Sequence, residues 1–410
     1  MRVIGFFAGA AALIGFACAA DDPGPVPEHP AIGYAALPAH DAIAELNRKL
    51  RSGSVRLAYD DATGYVRPLL AALGIPVESQ IAVFSKTSFQ ARSVSPLNPR
   101  TIFFNDSVAV AWVRGEWTVE AAAEDPQQGV VFYQIDQVNS AAPQFQRRDE
   151  CLSCHLRDTG PGMIVRSVAV TRDGGVLARL ANFATDHTSP LAERWGGWYV
   201  TGNSGGMPHL GNMTFDATAT ELPPIDSPHE LRSLEGKIDT GAYLSKYSDI
   251  VALMVFEHQA RAINLITRAG WMARWAAAQP DPPMDRVKDA ANELADYLLF
   301  ANEPTLTGQI EGTSGFAEWF SSQGPRDRRG RSLRQFDLRH RLMRYPCSYM
   351  IYSEAFDHLP EKAKSYVYER MWKVLSGNER AGFKSLTAGN RRAIIEILRD
   401  TKSGLPPYFQ

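Results

Sequence analysis

Cysteine is scarce in this chain: four residues in 410, at positions 18, 151, 154 and 347. Cys151 and Cys154 are separated by two residues, and Cys347 lies far away in an aromatic run, so the spacing offers no framework of structural disulfides. A charge excess is missing as well. With 43 Lys and Arg against 45 Asp and Glu, there is no whole-protein electrostatic case for nucleic acid or an acidic membrane surface. No internal repeat is visible, and no hydrophobic run beyond the N-terminus predicts a transmembrane helix. What remains is an ordinary globular composition, 45% hydrophobic and 21% charged, in a chain long enough for two or three cores.

Residues 1–20 read as an export signal. Arg2 supplies the positive start, Val3 to Ala17 form a short apolar core, and Ala17-Cys18-Ala19 gives the small-x-small pattern of a cleavage site. A second reading makes Cys18 the acylated first residue of a lipoprotein, although Gly15-Phe16-Ala17 fits that pattern only loosely. Both readings send the protein out of the cytoplasm, to the periplasm or beyond.

Residues 21–38 form a leader carrying Pro23, Pro25, Pro27 and Pro30, stiff and solvated with no core-forming pattern. A mixed α/β region is expected over 39–220. It opens with a helix from Ala39 to Leu50 and continues as β-branched and aromatic runs: Ile81 to Phe84, Thr101 to Phe104, Val108 to Val113, Trp117 to Ala121 and Val130 to Ile135. Arg114-Gly115-Glu116 and Arg172-Asp173-Gly174-Gly175 are hairpin signals. Six glycines between Arg194 and Met213 predict a short strand at Trp198 to Thr201 and then a loop that lets backbone approach a ligand. Over 245–410 the period is helical. From Ser248, an apolar face of Val251, Met254, Val255, His258 and Leu265 opposes Glu257, Arg261 and Arg268. Further helices are expected over Arg286–Phe300, Leu333–Leu342, Pro346–His358, Pro360–Ser376 and Thr387–Arg399. The fold class is therefore α+β, with a strand-rich N-terminal half and a mainly helical C-terminal half.

At the end of the strand-rich half stands "RDECLSCH", Arg148 to His155, with one Cys-x-x-Cys-His. Covalent attachment of haem needs two thiols spaced to meet two vinyl groups of one porphyrin, with a His beside the second to ligate iron. A structural zinc site needs a second pair of ligands, which Cys347 alone does not supply. A redox dithiol prefers a strand-to-helix setting and different neighbours than Leu152, Ser153 and His155. Export agrees with the haem reading, because c-type attachment follows export.

In these five residues, Cys151 to His155, the chain resembles the c-type cytochromes. It also looks like an uncharacterised family of exported bacterial cytochrome c domain proteins, with one haem motif between a strand-rich and a helical half. The resemblance implies one haem c, bound covalently by Cys151 and Cys154, with His155 as proximal iron ligand. It further suggests that the carbonyl of Pro161 orients the His155 ring.

The expected function is one-electron transfer with a redox partner protein in the cell envelope. The alternative is a haem oxidoreductase of peroxidase type with an open or labile distal site. The group opposite His155 separates them, and three residues are candidates: Met207 before Pro208, His209 in the same glycine-rich loop, and His258 on the apolar helix face. His187 is a candidate distal acid-base group, with a structural loop His as its plainer role. Arg147 and Arg148 are candidate partners for haem propionates. Cys347 reads as a buried thiol in an aromatic helix. The eight arginines between Arg326 and Arg344 form either a solvated helix face or a dock for an acidic redox partner.

Overall fold

The computed structural model describes residues 24–383 and 386–409; the expected signal at 1–20, Cys18 and the start of the leader lie outside the described residues. Two short helices, α1 (Ala42–Ser52) and α2 (Val66–Leu73), precede a seven-stranded sheet. Its strands are β1 (Ile81–Val83), β2 (Arg100–Phe104), β3 (Val108–Val113), β4 (Thr118–Asp125), β5 (Gly129–Asp136), β6 (Gln146–Arg147) and, from much later, β11 (Trp198–Tyr199). They run in the order β11-β1-β2-β3-β4-β5-β6, with every neighbouring pair antiparallel. Between β6 and β11 lie α3 (Leu152–His155), the hairpin β7 (Leu156–Arg157) and β8 (Gly160–Pro161), and the pair β9 (Arg166–Val168) and β10 (Asn182–Ala184). The remainder is helical: α4 (Ile250–Ala277), α5 (Met284–Leu298), α6 (Phe316–Ser322), α7 (Glu354–Asp357), α8 (Glu361–Leu375) and α9 (Ala388–Thr401). The molecule is thus α+β, strand-rich first and helical second, as its periodicities predict.

Alternation along the strands decides what each face of the sheet does. Val108, Val110 and Trp112 of β3 point to a core shared with Tyr65 and Leu69 beside and within α2, while Ala109 and Ala111 point to the opposite side with Ile102, Phe104 and Phe132. That second side meets α4. Asp249 caps α4 by accepting from the backbone N–H groups of Val251 and Ala252, and its other oxygen accepts from Thr313 and Ser314. Only Arg261, Arg268, Arg274 and Ala277 of α4 escape burial, because the helix lies between the sheet and the helices that follow it. Glu257 is therefore not on a solvent face, as the helical period suggests, but fully buried.

Three other expectations change. The described part of the leader is not merely solvated: Ile32 and Tyr34 are buried, and the Tyr34 hydroxyl donates to the Val130 carbonyl at 2.9 Å. The run Leu333–Leu342 is not a helix. Asp337 accepts from the N–H groups of Arg339 and His340 and so offers the backbone a turn instead, just as Asp327 does for Arg329 and Arg331. Pro346–His358 is broken too, into a 3-10 turn at Tyr349–Tyr352 and the single turn α7, each started by a serine cap, Ser348 and Ser353.

Glu124, in the last turn-facing part of β4, is buried, and burial together with Asp106, Glu354 and Asp125 pushes its carboxyl up to about 8. Because this folded-state value is raised, the protonated form stabilises the fold fully below about pH 4.5, and that contribution is lost as pH rises through about 8. Glu124→Gln removes the dependence: between about pH 5 and pH 8, wild-type unfolding free energy falls by a few kcal/mol relative to the variant in denaturant titrations. Parallel pH profiles for the two proteins would contradict this.

Candidate functional site

The motif occupies one tight turn. A 3-10 turn at Asp149–Cys151 runs directly into α3, so Cys151 and Cys154 are three residues apart on helical backbone and share a face. Neither thiol is in a disulfide; Cys151 is half-buried and Cys154 exposed. Burial, with Glu120 and Glu150 adding to it, pushes the Cys151 thiol up to about 11, so it stays protonated.

His155 ends α3, and the β7–β8 hairpin then brings the chain back beneath it, pairing Leu156 with Pro161 and Arg157 with Gly160. The ring nitrogen Nδ1 of His155 lies 2.9 Å from the carbonyl oxygen of Gly162, and the Gly162 N–H returns a bond to the His155 carbonyl at 2.9 Å. The orienting carbonyl is therefore that of Gly162, not Pro161, which is occupied as a hairpin residue. Glycine is required there: a Cβ on Gly162 would collide with the side-chain amide of Asn264. Asn264, from α4, brackets the next residue, accepting from Met163 N–H at 3.1 Å and donating to the Met163 carbonyl at 2.8 Å. Burial lowers the pKa of His155, with the Gly162 carbonyl opposing, so the imidazole is neutral near pH 7 and its Nε2 keeps a lone pair.

Cys151, Cys154 and His155 all line one cavity of about 580 Å³, within the usual size of sites for small molecules and cofactors. Phe132 packs on the His155 ring with centroids 4.7 Å apart, and Ile102, Trp198 and Phe256 continue the apolar wall. Ala109, Ala111 and Ala122 leave the sheet face without bulk, and a flat ligand has room because of them. Lys86, Arg100, Arg157 and Arg166 line the same cavity, together with Glu120; Lys86 is paired with Asp173 at 2.9 Å and Arg100 with Glu120 at 2.5 Å, so Arg157 and Arg166 are the cations least engaged by carboxylates. Two thiols, a neutral imidazole with a fixed tautomer, an apolar bed and several cations form a donor set that fits a covalently attached haem with two propionates.

The three candidates for the opposite iron ligand are placed elsewhere. Met207 sits in the core, where its sulfur accepts from the Thr307 N–H at 3.3 Å. His209 is buried, accepts from the Gly211 N–H at 3.1 Å and meets Trp195 edge-on; burial lowers its pKa to about 4. The ring of His258 is bonded at both nitrogens, to His187 Nδ1 at 2.7 Å and to the Ser348 hydroxyl at 2.7 Å, and stacks on Phe300 at 4.5 Å. None of the three is among the described residues lining the cavity, nor is His187, whose pKa burial and Arg194 lower to about 3.

Arg147 and Arg148 do not line it either. Arg147 is spent on Asp149, Gln128 and the Tyr34 carbonyl and lies over the Tyr34 ring, while Arg148 pairs with Glu150. Cys347 is buried, though not in a helix, and burial pushes its thiol up to about 12. The arginine-rich segment is largely neutralised within the molecule: Arg328 pairs with Asp400, Arg329 and Arg331 with Glu396, and Arg334 with Asp106.

Sequence reasoning passes over Phe132, Asn264 and the alanines of the cavity floor. The alanines did carry a signal, since "VAVAWV" alternates large and small residues and so predicts one packed and one hollow face. Comparison with known protein families, curated proteins and solved structures found no match, so the reading of this site stands on its own residues.

The His187–His258–Ser348 chain holds α4 against the loop before Tyr349. Replacing His258 or Ser348 with alanine leaves a buried polar group unpaired, and each variant is expected to lose about 1–3 kcal/mol of unfolding free energy. The double variant should lose clearly less than the sum, measured by denaturant titration; additive losses would show the bond to be inconsequential.

Proposed function

We propose that the chain is an exported monohaem c-type cytochrome, in which Cys151 and Cys154 hold one haem covalently and His155 is the proximal iron ligand. The observation that carries this reading is that the two thiols and the imidazole, adjacent in sequence, also line one cavity of suitable size, with an apolar bed and cations beside them. A bound haem c supplies a one-electron redox centre. The chain's own contribution is positional. The Gly162 carbonyl keeps the proton on Nδ1 of His155, which leaves Nε2 as the ligating atom. Asn264 fixes the segment that bears that carbonyl, Phe132 packs on the His155 ring, and Trp198 and Phe256 add apolar wall to the same cavity.

One-electron transfer with a redox partner protein in the cell envelope is the role the motif suggests. A specific observation favours the second reading, a haem oxidoreductase of peroxidase type: Met207, His209 and His258 are all engaged away from the cavity, which supports an exchangeable distal position. Among the described residues no helix is long and apolar enough to cross a membrane.

The test is the absorption spectrum of protein from a host that matures c-type cytochromes. High-spin ferric haem that binds cyanide, unchanged in Met207→Ala, His209→Ala and His258→Ala, is the expected result, and His155→Ala should lose the native iron coordination. A low-spin spectrum indifferent to cyanide, and collapsing in one of the three variants, would return the protein to the class of two-ligand electron carriers.

A further inference from the structure

Among the described residues, four large hydrophobic side chains stand far out in water: Leu97 at 75% exposure, Trp117 at 69%, Phe89 at 66% and Val138 at 61%. Every other exposed one lies at 39% or below. Distant in sequence, the four meet at one end of the seven-stranded sheet. Trp117 follows the turn between β3 and β4, Val138 follows β5, and Phe89 and Leu97 belong to the loop between β1 and β2. Hydrogen bonds hold these three segments together. The Gln90 amide donates to the Thr118 carbonyl at 3.3 Å, the Asn98 amide to the carbonyls of Ser93 and Arg114 at 2.9 and 3.0 Å, and the Gln137 N–H to the Trp117 carbonyl at 2.8 Å.

The pattern of the loop is inverted. Gln90 is buried and the Asn98 amide is spent on backbone, whereas their neighbours Phe89 and Leu97 face water. The polar side chains thus fix the loop in the arrangement that exposes its apolar ones, and apolar groups gathered in this way mark a contact surface.

Area and charge together choose what the surface meets. At about 150–250 Å² for a large aromatic side chain, four groups about two-thirds exposed present a few hundred Å². That is below the roughly 800 Å² per partner of a stable protein–protein contact. Arg92 and Arg114 are exposed on the same segments, but Glu116 and Asp136 stand on them too and Arg114 pairs with Asp239 at 3.4 Å, so the surface carries little net charge. Separate apolar tips with an indole among them suit the boundary of a bilayer, where fluid acyl chains close around single side chains and Trp is favoured.

We propose that this end of the sheet docks peripherally on a lipid bilayer by inserting Phe89, Leu97, Trp117 and Val138. The docking does not depend on the haem reading. Phe89 also lines the cavity of Cys151, Cys154 and His155, so docking brings one wall of that cavity to the bilayer.

The experiment is co-sedimentation of the full chain with phosphatidylcholine vesicles, repeated with phosphatidylglycerol mixed in. The wild type is expected to partition onto both within about threefold, because apolar area and not charge carries the contact. Trp117→Ala and Leu97→Ala should each weaken partition about tenfold, and Trp117→Phe should retain most of it. Leu37→Ser, at the other end of the sheet beside Gln128, should change nothing. All these positions are exposed, so thermal unfolding should be unchanged in every variant, which separates lost docking from a lost fold. Failure to partition, partition only onto vesicles containing phosphatidylglycerol, or equal partition by Trp117→Ala and Leu97→Ala would overturn the proposal. So would self-association of the wild type in sedimentation velocity that Trp117→Ala abolishes, since the surface is then a face between copies of the chain.

Discussion

The hydrogen bond between His155 and the Gly162 carbonyl is the constraint around which the rest is arranged. It exists because the β7–β8 hairpin returns the chain beneath the motif within a few residues, and because residue 162 has no side chain to meet Asn264. Asn264 belongs to α4, the helix that the sheet, α5 and α8 all contact. The orientation of one imidazole is thereby tied to the central helix of the molecule. Local unfolding of the motif would have to break the Asn264 bracket as well as its own turn, which is how a short, half-exposed stretch is held in one geometry.

The sheet contributes by what it leaves out. Alanines at 109, 111 and 122 remove bulk from one face exactly where Phe132 and Trp198 raise walls around it, so the hollow is made by strand alternation and needs no long loop. The cost of the hollow is met on the reverse face, where Val108, Val110, Trp112 and Val131 pack densely against α1 and α2. A second cavity, of about 690 Å³ and lined in part by the same Met163 and Ile164, reaches Glu257, whose burial raises its pKa while Arg194 and Thr185 oppose.

Much of this was legible in local pattern. The α+β division follows from the change of period near residue 248, and the spacing of Cys151, Cys154 and His155 is the local pattern on which the haem proposal rests. What could not be read was set by contacts between distant residues. His258 looks like an available ligand on an apolar face, but His187 and Ser348, 71 and 90 residues away, satisfy it. Glu257 reads as a solvent-face residue until Arg194 is brought to it from a loop. The arginine-rich run has helical spacing, and its own aspartates, Asp327 and Asp337, turn the backbone instead. Pro161 and Gly162 differ by one position, and only the hairpin register decides which carbonyl faces the ring.

The central claim is that Cys151 and Cys154 carry one haem covalently. It is tested most directly by mass spectrometry of the denatured protein, purified from a host that matures c-type cytochromes, followed by proteolysis to locate the modification. The account predicts a mass increase of one haem, confined to the peptide that contains Cys151 and Cys154 and absent from the Cys151→Ala/Cys154→Ala chain. An unmodified mass from that host would contradict it.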